Sequence, residues 1–481
     1  MIDFRPVGYV VGLLVAVLGL TMALPLFLDW RQGDPNWMAF LVSGAIALVG
    51  GGATALACAN GAREALTIQQ IFLLTTGVWV ALPLFGALPL VLGALDARYV
   101  DAVFEAMSGL TTTGSTVFAG LDDMPRGILL WRGMLQWFGG VGIVVVAMVF
   151  LPELGVGGMQ IFKSEGFETE GKILPRASEI AKQISVIYVI LTTVCAITFA
   201  ALGMSGFDAV VHAMTSVSTG GFANYDSSFG AFDAQIHYAA VIFMLMSALP
   251  FVRYVQFVAG SPRNLIRDSQ IRVFLIIVWI ATSMITSWLW VKNGMTEIAF
   301  REALFNVVSI ITGTGYASAD YGLWGSFPAV AFFLIGLIGG CAGSTACSMK
   351  VFRYQLLFAA INAQIRNIHW PNGIFIPRYE GKPVSDEVIS SVMVFFVAFL
   401  LLLGGVAVLL GLTGLDFITS VSGAATAIAN IGPGLGPEIG PSGNFAGLND
   451  AAKWILIFSM LLGRLELMAV LVLFIPAFWR V

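Results

Sequence analysis

Charged residues are scarce in this chain of 481 residues. Asp, Glu, Lys and Arg together make up 11% of it, whereas an ordinary soluble domain has about 25%. Hydrophobic residues make up 58%, and the mean hydropathy is +0.89. This composition excludes an ordinary soluble globular protein and indicates a chain that lies mostly within a membrane.

Cysteine and histidine are also rare, with four and three residues. The cysteines lie in apolar or glycine-rich surroundings without paired spacing, which favours buried small side chains over disulfides or metal ligands. Each histidine stands alone, which favours a simple polar contact over a ligand or a proton relay. No Rossmann fingerprint, P-loop or nucleophile–base cluster is present in the sequence, which therefore predicts neither an enzyme nor a bound organic cofactor. The residues concerned are Cys58, Cys195, Cys341, Cys347, His212, His237 and His369.

Long apolar runs recur along the whole chain, and each run of about 20 residues can cross about 30 Å of hydrocarbon. The first run is long and apolar and has no small-residue cleavage site after it, which indicates a retained membrane helix rather than a signal peptide. Ten spans are predicted, so both termini are expected on one side. The predicted spans are 7–28, 37–60, 70–94, 127–152, 183–204, 235–259, 271–292, 326–349, 387–411 and 451–478.

Basic residues are divided unequally between the two sides. With the N-terminus in the cytoplasm, 16 of the 24 Lys and Arg residues fall in cytoplasmic segments and 7 on the outer face. This asymmetry follows the positive-inside rule, so both termini are predicted to be cytoplasmic. Of the 28 acids, 16 fall outside and 11 inside. The acidic outer face would attract cations, although ordinary exposed loops explain it equally well.

A short segment that starts near an acid or a threonine and ends in glycine occurs four times, at intervals of about 100 residues. About twelve residues of helix reach only about 18 Å, little more than half of the hydrocarbon thickness. Asp101, Asp208, Thr296 and Asp416 suit the N-cap position of such helices. The segments are DAVFEAMSGLTTTGST from Asp101, DAVVHAMTSVSTGGF from Asp208, TEIAFREALFNVVSIITGTGY from Thr296 and DFITSVSGAATAIANIGPGLG from Asp416.

These segments predict re-entrant half-helices whose negative C-terminal ends point to the middle of the membrane. The chain must then return in a non-helical conformation, which is tolerated at this depth only inside protein or along a water-filled path. Small-residue helix packing explains any single glycine motif as well, but four motifs in the same position favour a pore. Uncharged carbonyl rings there would replace the water shell of a monovalent cation.

The predicted fold class is therefore an all-α integral membrane protein. Four parallel repeats of helix, half-helix and helix would surround a central pore, with an extra N-terminal helix pair. The predicted boundaries are 1–68 for the helix pair, then 69–158, 159–268, 269–368 and 369–481 for the repeats.

Two features near the predicted midplane are unusual for membrane spans. The eighth span breaks into GGCAGSTACS, a run so small and polar that it predicts an interrupted helix, with a small-residue packing face as the alternative. Arg464 lies within the last span, where an ionisable residue is costly and marks a functional site by default. A structural arginine satisfied within the bundle is the alternative. Glu466 projects about 200° away from Arg464 and is not its helical partner.

The motifs SGLTTTGST, VSTGGF, TGTGY, NIGPGLG and GGCAGST together resemble the Trk/Ktr/HKT potassium transporter superfamily, most closely its TrkH-type membrane subunit. The resemblance covers nearly the whole chain. It implies that Gly114, Gly220, Gly315 and Gly432 are the selectivity positions, where four glycines accompany potassium and a serine at the first accompanies sodium. The implied filter residues are Thr112, Thr113, Gly114, Ser218, Thr219, Gly220, Gly313, Thr314, Gly315, Asn430, Ile431 and Gly432.

The resemblance also implies that the broken eighth helix forms a loop that occludes the pore, with a pore-facing arginine at Arg464. The family usually has further glycines where this chain has Cys347 and Ser348, so the mobility of that end of the loop is in question. The implied gate residues are Gly339, Gly340, Cys341, Ala342, Gly343, Ser344, Thr345 and Arg464.

The function that the resemblance implies is K⁺ uptake across the bacterial cytoplasmic membrane, through a channel-like pore. The implied partners are K⁺, lipid, a second copy in a homodimer and a cytoplasmic TrkA-type subunit that binds NAD, ATP or ADP. That subunit would dock on segments 154–182 and 350–386; no nucleic-acid partner is expected. The alternatives are an H⁺- or Na⁺-coupled symporter and a pore that passes both Na⁺ and K⁺. Coupled carriers favour inverted repeats and midplane carboxylates, whereas these repeats are parallel and Glu466 alone lies within a span.

Overall fold

The computed structural model describes residues 3–61, 66–149, 158–159, 177–294 and 296–480. Nearly all of the regular structure is helical, and one short antiparallel ribbon pairs β1 (Arg378–Tyr379) with β2 (Lys382–Pro383). The α-helices are α1 (Arg5–Thr21), α2 (Ala23–Gln32), α3 (Trp37–Ala57), α4 (Ile68–Gly86), α5 (Leu88–Leu92), α6 (Tyr99–Leu110), α7 (Arg126–Val149), α8 (Ala177–Ala201), α9 (Gly206–Val217), α10 (Ala234–Ser247), α11 (Phe251–Val258), α12 (Arg263–Arg267), α13 (Ser269–Asn293), α14 (Glu297–Ile311), α15 (Ser326–Ile338), α16 (Val351–His369), α17 (Asp386–Leu412), α18 (Phe417–Ala429), α19 (Gly436–Ile439), α20 (Asp450–Arg464) and α21 (Met468–Leu471). Short 3-10 helices cover Ala59–Gly61, Leu121–Asp123, Ser228–Ala231, Tyr321–Trp324, Val472–Phe474 and Pro476–Trp479.

Seven of the ten predicted spans are helices long and apolar enough to cross a membrane. The other three are not continuous helices: the sixth and the tenth are bent, which the sequence did not predict, and the eighth is interrupted. The pair α10 and α11 is bent by 89°, and α20 with the segment Met468–Phe474 by 107°. Pro250 lies in the first break, where its ring cannot continue a helix. In the eighth span α15 ends at Ile338, so the interruption that the small-residue run predicts is confirmed.

The four short helices α6, α9, α14 and α18 contain 12, 12, 15 and 13 residues, and we call them the half-helices. Each half-helix contacts the long helix that follows the half-helix of the preceding repeat, and α6 contacts α20 of the last repeat. The repeats therefore close into a ring. Every residue of α6 from Ala102 to Leu110 is buried, which places the half-helices at the centre.

Two of the four predicted N-caps are confirmed. Thr296 accepts a hydrogen bond from the N–H of Ala299, and Asp416 accepts from Ile418 and Thr419. Hydrogen bonds from the side chain and backbone of Thr419, and from the Ile418 N–H, lower the pKa of the exposed Asp416 carboxyl. The predictions for Asp101 and Asp208 are wrong, because both lie in the first turn. Their negative charge still favours that end of the helix dipole.

The two predicted docking segments differ in how much of them is described. Segment 350–386 contains α16 and the ribbon, with many exposed apolar side chains such as Phe358 and Ile365. Segment 154–182 lies outside the described residues except for 158–159 and 177–182. The predicted boundaries between repeats stay predictions.

The N-terminal helices α1 and α3 pack through glycine. A Cβ at Gly12 would lie 2.7 Å from the backbone N of Ala55, and one at Gly19 would lie 2.8 Å from the Gly44 carbonyl oxygen. Such close backbone approach is typical of small-residue helix packing within membranes.

Gly51→Val is therefore expected to lower the melting temperature of the protein in detergent, because its side chain would collide with the α1 backbone at Gly12 and Ala16. Overpacking of this kind costs about 1–3 kcal/mol. Gly52→Val is the matched control, because no atom lies within 4 Å of a Cβ there. Equal melting temperatures for the two variants would contradict the packing described here.

Candidate functional site

The backbone repeats one conformational pattern at the end of each half-helix. A residue in the left-handed region is followed by an ordinary residue and then by a glycine with positive φ. Three of the four left-handed residues are not glycine. Residues with a side chain keep the left-handed conformation only where the surrounding structure holds it. The left-handed residues are Thr112, Thr219, Gly313 and Asn430, with φ of 51°, 52°, 76° and 52°, and the glycines are Gly114, Gly221, Gly315 and Gly432, with φ of 87°, 81°, 80° and 105°.

The four glycines each lie against a carbonyl group of the next repeat. A Cβ on Gly432 would lie 3.1 Å from the carbonyl oxygen of Thr113, which closes the cycle. The other three would overlap the oxygens outright, so no side chain fits. We call Gly114, Gly221, Gly315 and Gly432 the glycine ring, and the carbonyls of Gly220, Thr314, Ile431 and Thr113, which they meet in that order, the carbonyl ring.

One cavity of about 200 Å³ is lined by all four members of the glycine ring. It lies on the side at which the half-helices begin, and we call it the vestibule. Its lining also includes Asp226, whose carboxylate accepts the N–H groups of Gly120 and Leu121 at 2.7 and 3.1 Å.

The predicted selectivity position Gly220 and its neighbour Gly221 take different places in the two rings. Gly221 has the positive φ and lines the vestibule, whereas Gly220 contributes its carbonyl to the ring below. The run STGGF contains two adjacent glycines, and only the packing against Thr314 distinguishes them. The non-helical segment that follows each half-helix is called a return strand, or strand for short, and the four of them are numbered in chain order. The other predicted filter residues lie in these return strands or in the turns leading into them.

The Gln136 side chain, which extends from α7, occupies the space into which a side chain at position 220 would extend. Its buried amide donates to the Gly220 carbonyl at 2.5 Å and accepts from the Phe222 N–H at 3.0 Å. A Cβ on Gly220 would overlap this amide. Gln136 is not among the predicted site residues, although a polar residue within an apolar run is a signal for such a role.

Glu105 and Arg132 form a buried ion pair of 2.8 Å beside the strands. Glu105 also accepts from Thr116 and the Val117 N–H, and Arg132 donates to the Ala223 carbonyl at 3.0 Å. The pair therefore joins the first strand to the second. Both side chains are buried, so neither charge is exposed to solvent.

Polar side chains also join the strands to one another. Asn430 donates to the Thr113 hydroxyl at 2.8 Å and to the Met460 carbonyl at 3.0 Å. The Ser115 hydroxyl donates to the Gly432 carbonyl at 2.7 Å. The first and fourth strands are thereby held together by side chains as well as by the rings.

The chain between α15 and α16, residues 339–350, forms a loop on the side of the rings opposite to the vestibule. We call it the buried loop, because all of its residues but Ser348 are buried. It contains every predicted gate residue except Arg464.

The buried loop touches the end of each half-helix. The Thr345 hydroxyl donates to the Val217 carbonyl at 3.2 Å, and the Ser348 hydroxyl to the Ala429 carbonyl at 3.2 Å. These are carbonyls that a helix leaves without an internal partner. The Cys347 sulfur lies 4.0 Å from the Thr112 hydroxyl, and its backbone N lies 3.6 Å from a Cβ built on Gly313. The loop therefore crosses the central axis.

The bend between α10 and α11 holds the buried loop in place. The Cys341 N–H donates to the Ala248 carbonyl at 3.0 Å, and the Phe251 N–H donates to the Gly343 carbonyl at 2.9 Å. The Thr345 hydroxyl also reaches the Ser247 carbonyl at 3.0 Å. Backbone groups freed by the bend are thus satisfied by the loop.

Arg464 is 3% exposed and links the buried loop to the first repeat. Its guanidinium donates to the Thr345 carbonyl at 3.4 Å and to the Gly139 carbonyl at 3.2 Å, and it contacts the Cys347 sulfur. Arg464 is thereby brought together with the predicted gate residues.

The sequence predicts that Glu466 is not the partner of Arg464, and the two do not pair. Glu466 pairs with Lys350 at 3.0 Å and with Arg353. Both cations belong to a segment predicted to be cytoplasmic, and both side chains are buried, at 4% and 0% exposed.

The histidines make ordinary contacts. His212 and His237 are buried and lie 2.8 and 2.7 Å from the carbonyl oxygens of Asp208 and Phe229, and His369 packs against Trp370. All four cysteines are free thiols. Within the described residues, no group of three His, Cys, Asp or Glu side chains could hold a metal ion.

Residues 37–481 match the family model TrkH, described as a cation transport protein. The chain belongs to the TrkH family. The Trk system potassium uptake protein TrkI of Halomonas elongata is 44% identical over 99% of this chain and 97% of its own length. TrkH of Escherichia coli K12 is 36% identical over 99% of both chains. The crystal structure of the potassium transporter TrkH from Vibrio parahaemolyticus matches with a TM-score of 0.92 and 34% identity, covering 100% of both chains.

The predicted resemblance and the predicted helical membrane fold are both confirmed by these matches. As a member of the TrkH family, the chain is an integral membrane transport protein rather than an enzyme.

Gly221→Ala is expected to lower the melting temperature strongly, because its Cβ would meet the Thr314 backbone in a left-handed conformation. The left-handed conformation alone costs about 1–2 kcal/mol. Gly220→Ala meets only the Gln136 side chain, so adding Gln136→Ala should recover part of its loss. Thermal melting of these three variants and of Gln136→Ala alone, in detergent, tests this. A double variant no more stable than Gly220→Ala alone would contradict the contact between position 220 and the Gln136 side chain.

Proposed function

We propose that this protein takes up K⁺ across the bacterial cytoplasmic membrane through a channel-like pore. The observation that carries the proposal is the cyclic contact between the glycine ring and the carbonyl ring. Four carbonyl groups around one axis can replace the water shell of a cation. Relatives named for potassium uptake support the choice of ion.

The carbonyls of Thr113, Gly220, Thr314 and Ile431 are the proposed ligands. Gln136 already donates to Gly220, but a carbonyl oxygen has a second lone pair for the ion. The half-helices add the negative ends of their dipoles. Glu105 is neutralised by Arg132, so carbonyl dipoles rather than a free carboxylate would hold the ion. This favours a weakly hydrated monovalent cation over a divalent one.

The buried loop and Arg464 form the proposed gate. The loop crosses the axis below the rings, and a fixed positive charge beside it opposes a cation. At about 6 Å and an effective dielectric near 20, the repulsion is roughly 2.8 kcal/mol. That would slow the flux about a hundredfold if the charge stood unscreened in the path.

The proposed orientation has the vestibule outside and both termini in the cytoplasm, on the strength of the distribution of basic residues. The protein would act as a homodimer under a cytoplasmic TrkA-type subunit that binds NAD, ATP or ADP. This assembly rests on the resemblance. Segment 350–386, with α16 and its exposed apolar side chains, is the proposed docking region.

Coupling to protons finds no support at Glu466, the carboxylate that the symporter alternative would use. Its two oxygens are held by Lys350 and Arg353. Flux that follows the K⁺ gradient alone, unchanged by a pH or Na⁺ gradient, is therefore expected in liposomes.

Expression should restore growth of a potassium-uptake-deficient bacterium on low K⁺, and reconstituted protein should pass K⁺ and Rb⁺ in preference to Na⁺. Gly114→Ser should lower the K⁺/Na⁺ permeability ratio, because its side chain would displace the Gly220 carbonyl. Gly120→Ser is the control, since the space around Gly120 is open and it lies outside the rings. Equal K⁺ and Na⁺ flux through the wild type would refute the proposed selectivity, and an unchanged ratio in folded Gly114→Ser would remove Gly114 from the filter.

Arg464→Ala should raise the basal K⁺ flux by up to about a hundredfold and weaken the dependence on a regulatory subunit. Deletion of 343–347 should act in the same direction. Arg464→Lys keeps the positive charge but loses most of the hydrogen-bond donors. Its flux should therefore lie between that of the wild type and that of Arg464→Ala. Flux and melting temperature are measured on the same preparations. Flux at or below wild type in folded Arg464→Ala would exclude it from the gate.

A further inference from the structure

A buried cluster of three charges lies where the buried loop meets the break in the last helix. Glu466 accepts a hydrogen bond from the Lys350 ammonium at 3.0 Å through one oxygen and pairs with the Arg353 guanidinium through the other. The three residues are 5%, 4% and 0% exposed. We call this cluster the ion triad.

The positions of the three residues in the chain give the ion triad its significance. Lys350 is the last residue of the buried loop, and Arg353 lies in the first turn of α16. Glu466 lies in the break between α20 and α21, two residues after Arg464. The triad therefore connects the end of the loop directly to the segment that carries Arg464.

Residues other than glycine with positive φ occur at both of these places. Glu466 and Leu467 have φ of 60° and 51°, and Ser348 and Lys350 have φ of 65° and 69°. Residues other than glycine keep this conformation only where their surroundings hold it. The ion triad is the contact that the two strained segments share.

The Arg353 side chain is itself fixed from two further directions. Its guanidinium donates to the Met349 carbonyl at 3.0 Å and lies 3.8 Å from the ring centre of Phe395 on α17. Arg353 is thus a rigid anchor, and Glu466 is the group that transmits its position to the helix break.

We propose that Glu466 is a positioning residue of the gate, which holds Arg464 and the buried loop together as one unit. The inference rests on the proposed function, since it assigns a means of control to the same gate. With the triad intact, Arg464 stays against Thr345 and Cys347. Without the carboxylate, two buried cations face each other, and the loop end and the helix break separate.

The loop has a native reporter of this separation. Cys347 is buried against Arg464, whereas Cys58 at the end of α3 is partly exposed and far along the chain from the gate. Alkylation by N-ethylmaleimide, followed by peptide mass spectrometry, measures the two thiols in one sample. The ratio of the Cys347 rate to the Cys58 rate reports opening of the loop independently of ion flux.

Lys350→Met is the principal variant, because it removes one ion pair and leaves Glu466 neutralised by Arg353. It should raise both the relative alkylation rate of Cys347 and the basal K⁺ flux in liposomes by about tenfold. Lys350→Arg can keep the pair and should restore slow alkylation. Glu466→Gln removes the carboxylate that pairs with both cations, so its effect should be larger and its melting temperature lower.

The outcomes separate this inference from the gate itself. Folded Lys350→Met that matches wild type in both alkylation and flux would overturn the positioning role, as would Lys350→Arg that alkylates as fast as Lys350→Met. If Arg464→Ala fails to raise flux but Lys350→Met still exposes Cys347, the proposed gate fails and the positioning role stands. If Arg464→Ala raises flux and Lys350→Met changes neither measurement, only the positioning role fails.

Discussion

The ends of the half-helices impose the main constraint on this structure. A helix that stops inside the membrane leaves its last carbonyl groups without partners, and hydrocarbon cannot supply any. Protein must therefore surround every such end. The return strands lie against one another through the two rings, and the hydroxyls of Thr345 and Ser348 reach the ends of two half-helices from below. The same requirement that closes the ring of repeats also places the buried loop across its axis.

Two groups of buried charged side chains have specific partners near the rings. Glu105 and Arg132 lie beside the strands, and Glu466 lies with Lys350 and Arg353 below them. Breaking such a group by removing one partner leaves an uncompensated charge, which is far more costly than the group is stabilising. These groups therefore act as fixed points of geometry, and they leave the strands themselves uncharged.

Features that follow from the local pattern of residues could be predicted from the sequence. Half-helix length, the interrupted eighth span and the intramembrane Arg464 all belong to this kind. Contacts between residues far apart in the chain could not be predicted in this way. Lys350 and Glu466 are 116 positions apart, and Gln136 lies 84 positions before the carbonyl that it contacts. The sequence could not distinguish the places of Gly220 and Gly221 in STGGF for the same reason, since Gly221 lies against Thr314 in another repeat.

The contacts of the buried loop indicate how it must open. It is held by the bend at Ala248 in the second repeat, by Arg464 of the fourth and, through Arg464, by Gly139 of the first. A displacement that frees one contact strains the others, because packed interiors do not deform continuously. Release of the loop therefore requires several repeats to yield together. The proposed gate would therefore have two discrete arrangements, and the proposed regulatory subunit would switch the flux by stabilising one of them, without touching the rings.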